Sequence, residues 1–282
     1  MTAPALAVEA PFDRERPPRL AVEMSLSDEV NALPRWWHTI DLGGGVTTPG
    51  SKSVADLELE WERMALGDLT GKTVLDVGAW DGWMSFAAER AGAARVVALD
   101  HYVWAMDIEQ EWRYEKECRD AGVRPLDAEL VPSVWRIDEL PGKRGFDIAR
   151  AALGSAVQPV VGDFMTMDLD ALGKFDVVIY LGVLYHMRHP MLALERLRQV
   201  TRGVAYIETH AIVVPGRPDW PVCEFYETNE LVGDRTNWWG PTMPALVAMC
   251  RAAGFSDVTQ LSPVPEPGDD IIRYAAMVAV TP

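Results

Sequence analysis

The sequence predicts an α/β fold on a mostly parallel sheet, and three observations carry that expectation. Lys72 to Asp100 reads as an apolar strand, a glycine-containing turn, a helix and a second apolar strand. Short apolar runs then recur at 157–161, 174–184 and 204–208, with helix-period segments between them. The last two runs, 255–261 and 272–281, follow each other with no helix between them. They are expected to pair antiparallel at the sheet edge.

From the N-terminus, Met1 to Ser25 carries Pro4, Pro11, Pro17 and Pro18 and reads as an extended arm. Residues 28–33 suit a helical turn before Pro34. Arg35 to Ser53 holds Trp36, Trp37 and His38 and then three consecutive glycines, and is expected to be a lid. Ser53 caps a helix with Val54, Leu57, Trp61 and Met64 at helical spacing. Residues 1–52 are thus expected as arm and lid, and 53–282 as the main domain.

Thr73 to Val77 is the first strand. In the turn Gly78-Ala79-Trp80-Asp81-Gly82, the glycines let the backbone approach a ligand closely. The following helix, ended by Gly92, points its free N–H groups at that turn. Asp100 stops the second strand, where a carboxylate can accept hydrogen bonds from a ribose diol. The unit reads as a nucleoside site. A dinucleotide site wants G-x-G-x-x-G. This chain has G-x-x-x-G, with Trp80 where a pyrophosphate needs a glycine.

Residues 101–145 exceed what a simple crossover needs and are expected as an insertion walling the substrate. Within it, 106–121 is expected to be one helix with Trp104, Ile108, Trp112 and Cys118 on one side. Helix 146–153 and strand 157–161 lead to Gly162-Asp163-Phe164. Strand 174–184 ends in GVLYHMRHP, helix 191–200 follows, and a fifth strand at 204–208 is expected to end before Thr209 and His210. The proline-interrupted 211–240 segment should cover the site, and helix 243–253 precedes the last two strands.

VLDVGAWDG resembles motif I of the class I S-adenosylmethionine (SAM) methyltransferases, D-x-G-x-G-x-G, with Trp80 in place of the middle glycine. The resemblance implies their Rossmann-like fold, a mostly parallel seven-stranded sheet with an antiparallel edge strand, and SAM as cofactor. It implies cofactor contacts from Asp76, Gly78, Ala79, Trp80 and Gly82. Asp100, with His101 beside it, matches the acid that binds the ribose. Asp163 matches the residue that bonds the adenine amino group, Phe164 the apolar group against the ring, and Leu181 ends the strand facing the transferred methyl. GVLYHMRHP is similar to a segment of the tRNA wobble-uridine carboxymethyltransferases and the methyltransferases grouped with them. That likeness runs from about Trp36 to about Phe255 and includes HTIDL and NWWGPT. Those enzymes use a lysine to hold the extra carboxylate of their SAM derivative. It aligns near Trp36 and Trp37, which implies ordinary SAM here.

Methyl transfer often needs a base beside the acceptor. His186, Tyr185, His210 and Glu208 follow or end the fourth and fifth strands and are the catalytic candidates. Trp36, Trp37, His38, Trp238 and Trp239 are expected to wall the substrate pocket. His186 and His189 lack a metal-ligand spacing with Glu208, Asp107 or Glu224, so no metal is expected.

Composition bounds the partners. The chain has 282 residues, 42 acids against 26 bases and a net charge of −16, a poor field for a polyanion. A small-molecule acceptor, a sugar or secondary-metabolite hydroxyl, is the expectation, and a tRNA-modifying transferase is the alternative. No apolar run approaches the roughly 18 residues that span a bilayer, and the N-terminus lacks a signal pattern. Three scattered cysteines suit a reduced cytoplasmic setting.

Overall fold

The computed structural model describes residues 24–282, so the proline-rich arm falls almost wholly outside them. Helix α1 (Leu26–Asn31) is capped by Ser25, whose hydroxyl accepts the Asp28 N–H. Helix α2 (Val54–Met64) is capped in the same way by Ser53. The chain then forms β1 (Thr73–Val77), α3 (Trp83–Arg90), β2 (Arg95–Asp100), α4 (Tyr102–Ala105), α5 (Ile108–Ala121), α6 (Arg144–Ala152) and β3 (Gln158–Val161). It continues as α7 (Leu169–Leu172), β4 (Phe175–Leu181), α8 (Pro190–Val200), β5 (Thr201–Val213), β6 (Cys223–Phe225), β7 (Trp239–Pro241), α9 (Met243–Ala252), β8 (Asp257–Gln260) and β9 (Ile272–Thr281).

The main sheet has the order β3-β2-β1-β4-β5-β9-β8. The first five strands pair in parallel, and β9 lies antiparallel to both β5 and β8. The strand order reverses between β1 and β4, which opens a crevice at their carboxyl ends. Side chains alternate between two apolar layers. Leu75, Val77, Val178 and Ile207 pack with Leu194, Leu197 and Leu246 of α8 and α9. Val74, Val177, Ile179 and Met277 pack on the other face, with Leu57, Phe86, Trp104 and Phe146. This is the Rossmann-like class I methyltransferase architecture.

Two local readings change, and two segments gain definition. Strand β5 runs on to Val213 because β9 offers it a partner from Ala205↔Val280 to Val213↔Ile272. Thr209 and His210 therefore lie within a strand, not at its exit. The expected helix 106–121 stands as α5, capped by the Asp107 carboxylate, which accepts the Gln110 N–H, but Trp104 falls outside it on the separate α4. Trp104 is buried in α4, while Trp112 is 46% exposed on α5, so the two do not share a face. The expected lid segment is a compact strap. His38 pairs with Lys52, and the buried Thr48 hydroxyl donates to the His38 carbonyl while accepting the Ile40 N–H. Gly43, Gly44 and Gly45 take positive φ of 80°, 60° and 80° at its tip. Finally, the covering segment after Val213 folds back so that β6 pairs antiparallel with β7, and Thr242 just past β7 bridges Ile212 of β5.

Candidate active site

The turn after β1 is the first wall. Gly78 has φ 78°, and a Cβ there would lie 2.6 Å from Val183 Cγ2, so the turn and the loop after β4 close on each other only through glycine. Asp76 is buried, accepts the Ser85 hydroxyl at 2.6 Å, and is pushed up to about 7 by that burial. Ala79 and Gly82 are buried in the turn. Trp80 sits at φ 46°, a left-handed position that its middle place in the turn demands. Its amide donates to Asp100 at 2.9 Å, and its carbonyl accepts the Trp104 indole N–H at 2.8 Å. The Asp100 carboxylate also accepts the Val103 N–H at 3.2 Å, and burial pushes its pKa up. A carboxylate has about four acceptor sites, so two bonds leave capacity for a diol.

The Trp80 ring stacks on Trp37, with centroids 5.1 Å apart and planes at 9°. Arg35 lies over both rings, at 5.4 and 5.1 Å. Beside this stack, Asp81 accepts the backbone N–H groups of Trp37 at 2.6 Å and His38 at 3.0 Å. The strap is thereby clamped to the turn. Burial pushes Asp81 up to about 7.

A second wall lies at the ends of β2 and β3. A cleft of about 510 Å³ opens there, lined by His101, Trp135, Ile137, Val161, Gly162, Asp163, Thr166 and Glu129. His101 meets Trp135 edge-on at 5.0 Å. Asp163 accepts the Met165 N–H and the Thr166 hydroxyl, which fixes its carboxylate at the rim. Phe164 is not in this cleft. It is 6% exposed and packs on Tyr180, because its backbone turns it into the core under α8. The apolar side of the cleft comes from Trp135, Ile137 and Val161.

The third wall joins β4 and β5. A Cβ on Gly182 would lie 3.7 Å from Tyr185 Oη and 3.9 Å from Glu208 Oε2, so both polar atoms flank one small space. Glu208 is partly exposed. Burial first, then the charge of Glu60, pushes it up to about 7. Burial and Glu208 raise Tyr185, which stays a neutral hydroxyl. Leu181 is half-buried at the end of β4. Glu208 and His210, two residues apart on β5, share a face of the sheet. The Tyr185 ring meets His210 edge-on at 6.4 Å.

Other expected site residues lie elsewhere. Trp36 is 1% exposed and its indole N–H donates to the Val30 carbonyl, so it anchors the strap in the core and cannot wall a pocket. His38 is buried beneath the strap, its Nδ1 3.9 Å from Asp81, and burial lowers it to about 3. His186 is tied by Nδ1 to the Thr236 carbonyl and hydroxyl at 3.1 and 2.9 Å, so it holds the cap loop. Trp238 lies under Arg188 at 4.1 Å, and its backbone N–H donates to the Tyr185 carbonyl. Trp239 packs on Phe225 with its indole N–H buried and without a partner among the described residues. Arg235 ties the cap to the insertion through Glu111 at 2.6 Å and Glu115 at 3.0 Å. Trp135, Ile137, Arg35 and Asp81 are site residues that the sequence reading did not single out. Only Asp81 carried a signal, lying within GAWDG itself.

A family profile described as a methyltransferase domain matches residues 55–260. The chain belongs to this methyltransferase family. It is 29% identical over 207 residues to a tRNA U34 carboxymethyltransferase of Ectopseudomonas mendocina, covering 71% of this chain and 50% of that protein. A Pseudomonas fluorescens protein of the same name is 28% identical over 211 residues, with the same coverage. The chain thus spans about half the length of these relatives. Among solved structures, the N-terminal domain of EvdMO1 with S-adenosylhomocysteine bound superposes with a TM-score of 0.60 at 16% identity. That match covers 91% of this chain and 95% of the other, and shows the shared fold.

Proposed function

We propose that this methyltransferase moves the methyl group of SAM to a hydroxyl oxygen of a small molecule, a sugar or secondary metabolite. The observation that carries the acceptor site is the pairing of Tyr185 Oη and Glu208 Oε2 over Gly182. SAM supplies an electrophilic methyl on a sulfonium. The residues present suit it. Asp100 would hold the ribose diol, and Asp163, His101, Trp135, Ile137 and Val161 would hold the adenine in the cleft at β2 and β3. Gly78 would let the backbone approach the methionine portion. The strap, clamped through Asp81 and the Trp37–Trp80 stack, excludes water from that side. Tyr185 orients the acceptor hydroxyl, and Glu208 takes its proton. A carboxylate held near 7 is matched to proton transfer at neutral pH.

A second reading, modification of the tRNA wobble uridine, is favoured by the names of the relatives. The resemblance places no lysine where those enzymes hold the extra carboxylate, which supports ordinary SAM. The deciding experiment incubates the protein with methyl-labelled SAM and two fractions, deproteinised small molecules and bulk tRNA. Label is expected in the first fraction. Glu208→Gln should lower that incorporation on the order of 10²-fold and remove its rise through about pH 7. Label in tRNA alone overturns the small-molecule reading.

A further inference from the structure

Behind His210 stands a hydrogen-bonded chain that none of the candidate roles uses. His210 Nε2 lies 2.8 Å from Tyr226 Oη. Tyr226 Oη donates to Glu224 Oε2 at 2.8 Å, and Glu224 Oε1 accepts from Arg273 Nη2 at 2.5 Å. The directions are forced. A phenol has one proton, and an ionised carboxylate paired with arginine can only accept. Tyr226 must therefore give its proton to Glu224 and accept from His210, so Nε2 carries the hydrogen. Nδ1 is left with a lone pair.

The backbone fixes where that lone pair faces. A Cβ on Gly240 of β7 would lie 3.1 Å from His210 Cδ2 and 3.2 Å from Nε2, so that edge of the ring is packed under the hairpin. Nδ1 sits on the opposite edge. It has no protein partner among the described residues and is not among the buried unpartnered atoms, so it keeps access to solvent on the ring that meets Tyr185. The ring faces Tyr185 from the loop after β4, Glu224 and Tyr226 from the hairpin, Arg273 from β9, and shares its strand face with Glu208.

We infer that Arg273, Glu224 and Tyr226 hold His210 as its Nε2–H tautomer, so that Nδ1 accepts a hydrogen bond from a second donor on the methyl acceptor. This rests on the acceptor site proposed above and narrows its substrate class. The molecule carries two hydrogen-bond donors, the methylated hydroxyl at Tyr185 and Glu208 and another one strand repeat away, roughly 6.5–7 Å along β5. Sugars and other polyols have that form. Burial and Arg273 lower His210 to about 4, which keeps the ring neutral in this role at physiological pH.

The tautomer is read directly from the imidazole ¹⁵N signals of ¹⁵N-labelled protein saturated with S-adenosylhomocysteine. Nε2 protonated and Nδ1 bare is expected, and an Nδ1–H ring or an imidazolium at neutral pH overturns the inference. Glu224→Gln is the sharper arm. Its amide oxygen still accepts from Arg273, but its NH₂ now donates to Tyr226, which frees the phenol to donate to His210. The ring should switch to Nδ1–H with the fold intact, and an unswitched ring overturns the relay. For the contact, methyl incorporation is titrated with whichever fraction the wild type labels. His210→Leu should raise the apparent KM about 10-fold, the loss of one hydrogen bond. His210→Asn, whose carbonyl stands near the Nδ1 position, should restore it. Equal KM values for His210→Leu and wild type overturn the contact. Label in tRNA alone would sink the small-molecule reading and leave the tautomer result standing.

Discussion

Asp100 shows how a single residue ties fold to ligand. It ends β2, and its buried carboxylate already orders the turn by accepting the Trp80 and Val103 amides. Two backbone bonds hold it in place and leave acceptor capacity toward the crevice. Asp100→Ala should therefore cost about 1.5–3 kcal/mol of SAM affinity, the range for hydrogen bonds to a charged group. Calorimetry with SAM and with NAD on wild type and variant checks this. SAM binding is expected in the wild type, weakened in the variant, with no NAD binding to either, since Trp80 stands where a pyrophosphate needs glycine. Unchanged SAM affinity in the variant would remove the ribose assignment. Asp100 was legible from sequence because an acid at the tip of a strand is a local pattern. Phe164 and Trp36 misled for the converse reason. A side chain next to a motif can face either way, and here one faces the core under α8 and the other the core under the strap.

The strap and the turn illustrate what local pattern leaves out at the scale of elements. GAWDG announces the turn, but nothing in it announces that Asp81 reaches 43 and 44 residues back to two strap amides. The helices and strands that a period specifies, α2, α3, β1, β2 and β4, stand close to their expected places. The elements that long-range pairing specifies, the extension of β5 and the β6–β7 hairpin, do not announce themselves in a period. The clamp also has a pH signature. Burial raises Asp81 from 3.8 to about 7, so the folded state retains a proton that the unfolded state has lost. Its contribution is full below pH 4, declines as pH rises from about 4 through about 7, and is flat above. Asp81→Asn removes that titration. Thermal melts should show the wild type losing stability relative to the variant across that window, and parallel curves for the two proteins would contradict the assigned shift.

At the scale of the whole molecule, charge and architecture point the same way. The crevice lies at the switch point between β1 and β4, beside a strap clamped by Asp81 and an insertion tied to the hairpin segment through Arg235, Glu111 and Glu115. A cover of this build would suit the compact ligand proposed above. The surface around it belongs to a chain with 42 acids and 26 bases. Several of those bases are already paired, Arg188 with Asp127, Arg202 with Asp176 and Arg273 with Glu224. Nucleic-acid affinity grows with the number of phosphates neutralised, and each costs affinity as salt rises. Half-buried Trp37, Trp238 and Trp239 offer aromatic faces that would suit bases as well as sugars, so the aromatics do not decide between them. Salt does. Anisotropy with labelled bulk tRNA should show only weak binding at about 50 mM salt, lost by about 200 mM. A polyol acceptor, carrying no charge, should keep its apparent KM across the same range. Tight tRNA binding that survives to the higher salt would mean that the cover opens onto RNA, and the wobble-uridine reading would take its place.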